Sequence, residues 1–151
     1  MTQHLYEPAA AAEIRQRIAR LRPDSPRQWG RMTPAQMLAH CVSSLDMALG
    51  RSKPPRMLVG YIFSGIAKRS LLVRGEPMRR NSPTSRDLRI RDDRDFGTES
   101  KRLVAAVDEF VGGGPSACTT HPHTFFGPLT PVEWATLMYQ HLDHHLRQFG
   151  V

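Results

Sequence analysis

Apolar positions along the chain recur mostly with a helical period. Ile14, Ile18 and Leu21 fall at i, i+4 and i+7, predicting a helix over Ala9 to Leu21 that Arg22-Pro23-Asp24-Ser25-Pro26 must stop. A second helix opens at Thr33-Pro34-Ala35-Gln36. Thr33 suits the N-cap, Pro34 suits N1, and Gln36 at N3 completes a capping box. It is expected to reach Leu49, with Gly50 just past its end. A third covers about Thr98 to Val111, or starts nearer Asp92, with Leu103, Val104, Val107 and Phe110 inward and Gly112-Gly113-Gly114 closing it. A fourth repeats the start signal as Thr130-Pro131-Val132-Glu133 and carries Trp134, Leu137 and Met138 on its apolar stripe.

The second and third helices are joined by a long stretch rich in Pro, Arg and Ser. Tyr61 to Leu72 predicts one short amphipathic helix through Ile62, Phe63, Ile66 and Leu71, and Gly75 to Ile90 predicts an extended crossover broken by Pro77 and Pro83. No strand alternation persists and no repeat is present. The expected fold is all-α: an up-down four-helix bundle over residues 1–151, in a single domain, with a long crossover between its second and third helices.

Composition sets limits on this picture. A chain of 151 residues that is 40% hydrophobic can bury a core without metal or disulfide staples. A bound metal would therefore serve function before structure. Cys41 and Cys118 are the only thiols and lack CxxC spacing, which predicts a reducing, cytoplasmic setting. Met1 to Tyr6 has no export-signal character, and the longest near-apolar stretch, Met57 to Ala67, is too short to span a bilayer, so no membrane partner is expected. The net charge of +7 is local. Arg51 to Arg94 holds twelve basic residues against four acidic ones, net +8, which leaves the remainder at −1.

The fourth helix ends in His141-Leu142-Asp143-His144-His145-Leu146-Arg147-Gln148. His141 and His145 lie one turn apart, about 40° from each other around the axis and on the apolar stripe, so both imidazoles point inward at the spacing of a metal-binding pair. His40 on the second helix is the candidate third ligand, although projection sets it at the margin of an apolar sector centred nearer Cys41 and Leu45. Three imidazoles from two helices leave open positions on Zn, Ni, Fe, Mn or Co, the arrangement of catalytic metals. A bound water or thiol then ionises near neutral pH, which opens hydrolysis or thiol transfer.

His144 reads as a surface residue or a hydrogen-bonding neighbour of the ligands, Gln148 as a candidate to orient an imidazole, and Asp143 as a solvated charge on the far side of the helix. Cys41 and the two tryptophans, Trp29 and Trp134, read as core. His123, with His121, belongs to a loop that packs ahead of the fourth helix or lines a pocket mouth. The basic stretch reads first as a solvated crossover and second as a recognition surface for an anionic substrate through Arg79, Arg80, Arg86 and Arg89. Nucleic-acid binding comes third, since few aromatics interleave the arginines and no recognition motif is present.

One histidine in Met37-Leu38-Ala39-His40 and a downstream HxxxH pair resemble the DinB/YfiT-like superfamily of metalloenzymes. The stretch Trp29 to Cys41, and the tail from Phe126-Gly127 through Glu133-Trp134 to Gly150, resemble an uncharacterised branch of it. The resemblance implies a four-helix bundle, often a homodimer, with a divalent metal on His40, His141 and His145. It implies thiol S-transfer with a low-molecular-weight thiol such as bacillithiol, mycothiol or glutathione, thiol-dependent isomerisation, or hydrolysis by a metal-bound water. Thiol S-transfer or conjugation to a small electrophile is the first expectation and hydrolysis the second. A non-enzymatic bundle that binds metal or an acidic partner is the competing class.

Overall fold

The computed structural model describes residues 2–151 and is all-helical, with no β-strand among them. Five α-helices follow in order: α1 (Pro8–Arg20), α2 (Pro34–Ala48), α3 (Leu58–Lys68), α4 (Phe96–Ala117) and α5 (Pro131–Gln148). α2 packs on both α4 and α5, and α1 closes over α4 and α5 from the other side. Their shared core holds Ile14, Ile18, Met37, Leu38, Leu45, Leu103, Phe110, Trp134 and Leu142, each fully buried. Each such side chain contributes about 1.5–3 kcal/mol by leaving water.

Both predicted capping boxes form. Thr33 accepts from the Gln36 N–H at 3.2 Å while Gln36 accepts from Thr33, and Thr130 and Glu133 do the same at the start of α5. α4 begins at Asp95, whose carboxylate accepts from the Thr98 N–H at 2.8 Å. The glycine run does not end α4 at once. Gly112 and Gly113 stay helical, the backbone breaks at Gly114 with φ +61°, and Pro115 restarts one further turn to Ala117.

The crossover departs furthest from expectation. α3 starts at Leu58 and is followed by a π-type turn, Arg69–Val73. Of the expected inward residues only Leu71 is buried; Ile62, Phe63 and Ile66 are 74%, 54% and 75% exposed. The reason is a close backbone approach. A Cβ at Gly60 would lie 2.4 Å from the Phe125 carbonyl oxygen. The small residues at i, i+4 and i+7, Gly60, Ser64 and Ala67, therefore face inward and the large apolar ones are turned out. Lys68 holds this orientation through Pro128 O at 3.3 Å and Glu133 at 2.9 Å.

Gly75 to Ile90 lacks regular structure apart from a 3-10 turn at Arg86–Leu88 that buries Leu88, and it is further broken by a turn at Arg80 and Asn81, where Asn81 has φ +57°. Asp143 is not the solvated charge its projection suggests: the far side of α5 faces α1, so its carboxylate is only 14% exposed and pairs with Arg17 at 2.7 Å and Arg147 at 3.0 Å.

Because each cap satisfies backbone donors that have no helical partner, Thr130→Ala is expected to lower unfolding free energy by about 1 kcal/mol. Thr33→Ala should cost a similar amount, and the two should add, as chemical denaturation of the single and double variants will measure.

Candidate metal centre

α2 and α5 bring His40, His141 and His145 together, with ring centroids 4.6–4.8 Å apart. One ligating atom from each lies within 4.8 Å of the others. The capped starts of the two helices fix this register. His40 is buried at 4% exposure and His145 at 9%, so the margin position read from helical projection is covered by the crossover.

Hydrogen bonding assigns the ring tautomers. His40 donates from Nδ1 to the Leu88 carbonyl at 2.8 Å, which leaves its Nε2 lone pair free and 2.9 Å from Nε2 of His141. His145 donates from Nδ1 to Gln148 Oε1 at 2.9 Å, and Gln148 donates in turn to the Trp29 carbonyl at 2.8 Å. Gly30 makes this second chain possible, since a Cβ there would stand 2.4 Å from Gln148 Nε2. His141 Nδ1 is buried without a partner.

Burial, followed by neighbouring imidazoles, pushes the pKa of His141 well below its usual value, and burial is the first cause at His40 and His145 too, the latter reaching about 3. All three are neutral at pH 7. Without a cation, one Nε2–H must bridge His40 and His141; with that proton gone, three lone pairs share one centre. Two rings with Nδ1–H committed elsewhere and Nε2 free, no carboxylate in the cluster, and three imidazole donors fit a late first-row divalent ion.

The histidines form one wall of a cavity of about 570 Å³. Val59, Phe63 and Ile66 of α3 and Phe125 and Phe126 of the loop before α5 make its apolar side, and Arg79 and Ser85 of the crossover make a polar side. Trp29, expected in the core, is only partly buried and lines this cavity instead, against the His144 ring at 5.4 Å. His144 lines it as well, and burial lowers its pKa. Arg80 lies outside the lining but stacks over Trp29 at 4.2 Å; Arg86 and Arg89 are exposed and do not line the cavity. Cys41 is a core residue, its thiol 3.7 Å from Met37 Sδ and pushed up in pKa by burial.

His123 lines the cavity and also holds its loop, accepting at Nδ1 from the Phe125 and Phe126 N–H groups at 3.0 and 3.1 Å. Sequence reading missed the Leu88 and Trp29 carbonyls and Ser85. Main-chain acceptors carry no residue signature, although Trp29-Gly30 opens one of the two family-like stretches.

Burial depresses the His123 pKa from 6.5 to about 4. The unfolded chain thus binds a proton below pH 6.5 that the folded chain accepts only near pH 4. Stability is present above pH 6.5 and falls as pH drops through that window, by about 3 kcal/mol from this group. His123→Asn, which keeps an acceptor but cannot ionise, should flatten the acid limb of a stability–pH profile; an unchanged limb would contradict the assignment.

No curated protein matches the chain, and no solved structure matches it. A family model covers residues 4–150, and the chain belongs to that family, described as a protein of unknown function, DUF1569.

Proposed function

We propose that the chain is a metal-dependent enzyme for a small molecule, built as a single DinB-like four-helix bundle to which α3 is added, with His40, His141 and His145 holding a divalent Zn, Ni, Mn or Fe ion. The observation that carries this reading is the set of three neutral imidazoles, two with fixed tautomers, at the wall of a cavity. A divalent cation bound there supplies Lewis acidity, lowering the pKa of an adjacent thiol or water toward neutrality.

The surrounding residues favour thiol S-transfer or conjugation. Among the described residues no Asp or Glu lines the cavity, so no carboxylate stands ready as general base, and an ionised thiol needs none. Arg31 and Arg79 line it instead and suit an anionic group on a low-molecular-weight thiol or its electrophile. Phe63, Phe125 and Phe126 shield the reacting atoms from water, while Leu88 and Gln148 keep the His40 and His145 lone pairs aimed. Hydrolysis is the second reading, favoured by His144, a neutral imidazole on the cavity wall able to take a proton from water. Free Cys41 and Cys118 accord with a reducing cytoplasm.

Untagged protein incubated with Zn, Ni or Mn and then desalted is expected to retain metal in equimolar amount, and His141→Ala/His145→Ala to retain none. Gln148→Ala should weaken affinity by about 10- to 100-fold through His145. Equal, negligible metal in wild type and the double variant would leave a non-enzymatic helical protein as the better account. In the Co-substituted protein, small thiols should change the visible spectrum; no change across them would favour hydrolysis.

A further inference from the structure

The stretch that is too short to cross a bilayer has the features of one that lies on it. α3 is apolar on nearly every side, and its inward face is set by the Gly60 approach to Phe125, so its large side chains cannot turn in. Leu58, Tyr61, Ile62 and Ile66 are 83%, 64%, 74% and 75% exposed, and Phe63 is 54% exposed. The largest apolar patch on an ordinary soluble monomer is about 300–600 Å², and five side chains of this size at these exposures reach the upper end of that range from a single short helix. A helix apolar all round is normally covered on every side.

Charge decides what covers it. Leu58, Ile62 and Arg69 share one face at i, i+4 and i+11, and Arg69 is exposed. Arg56 stacks its guanidinium over Tyr61 at 4.1 Å, and Lys53 lies exposed just before the helix. Among the described residues none of Lys53, Arg56 and Arg69 has a carboxylate partner, while Lys68, beside the inward face, does. The apolar patch is therefore flanked by unneutralised cations at both ends of the helix. Two copies paired through α3, parallel or antiparallel, would bring cation-bearing ends together. A surface that is apolar beneath and anionic at its edge satisfies both features at once.

We propose that the outer face of α3, with Lys53, Arg56 and Arg69 at its rim, docks the protein on an anionic phospholipid bilayer. Leu58, Ile62 and Ile66 enter the acyl boundary and the cations meet the headgroup phosphates. This revises the expectation of no membrane partner without requiring a spanning segment; no helix among the described residues is long and apolar enough to cross a membrane. α3 also lines the cavity through Val59, Phe63 and Ile66, the last two at the edge of the exposed face, so docking would set the cavity wall against the lipid. The proposal does not depend on a metal at the histidines.

Co-sedimentation of the full chain with vesicles tests it. Binding is expected to vesicles of equal parts phosphatidylglycerol and phosphatidylcholine, to weaken as salt is raised, and to be absent with phosphatidylcholine alone. Ile62→Asp/Ile66→Asp should cut partitioning at least about tenfold, and Lys53→Gln/Arg69→Gln should cut it while removing most of the salt dependence. Because all four positions are exposed, thermal melts should show the variants folded. No binding to anionic vesicles, or equal binding by the Asp variant, would overturn the proposal. So would a stable dimer in sizing that Ile62→Asp/Ile66→Asp dissociates in the absence of lipid, which would make a second copy the occupant.

Discussion

Three imidazoles meet in a low-dielectric contact between α2 and α5, and the rest of the site follows from the need to keep them neutral and oriented there. Charging any one of them would cost desolvation plus repulsion from its neighbours, and burial therefore drives all three pKa values down. Neutral imidazoles carry one donor and one acceptor each, so a cluster of them needs outside partners. The chain supplies two, the Leu88 carbonyl and the Gln148 amide. Their effect is to turn two lone pairs toward the same point.

This constraint links distant parts of the sequence. Leu88 reaches His40 only because the 3-10 turn at Arg86–Leu88 folds the crossover back on α2. Gln148 reaches His145 only because Gly30 leaves room for it and the Trp29 carbonyl fixes its amide. Arg80 over Trp29 and Trp29 against His144 continue the same contact outward to the basic crossover. A segment that reads as a solvated connector thus supplies both a polar cavity wall and one of the two carbonyls behind the histidines.

What was legible in the sequence is what local chemistry determines. The Thr-Pro-x-Gln and Thr-Pro-x-Glu starts fixed two helix registers, and with them the meeting of His40 with the His141 and His145 pair. In α3 the large apolar stripe predicts the buried face, whereas a single backbone contact at Gly60 selects the small one. Asp143 departs from its helical projection because α5 is packed on two sides, so the face opposite the histidines meets Arg17 rather than water. Backbone acceptors and cavity walls arise from tertiary closeness, which periodicity does not encode. Three imidazoles alone select neither an ion nor a chemistry, since imidazole donors accept several ions and serve several chemistries.

The central claim is that His40 and His145 present free Nε2 lone pairs to one point, and that His141 Nε2 joins them once a cation displaces the proton it shares with His40. Long-range proton–nitrogen NMR of the imidazoles reads this directly, as Zn is titrated into protein labelled with nitrogen-15. The account predicts that all three Nε2 resonances shift together at an equimolar end point while Nδ1 of His40 and His145 stay protonated. Nε2 signals unmoved by Zn, or a metal-loaded form in which His40 carries its proton on Nε2, would contradict it.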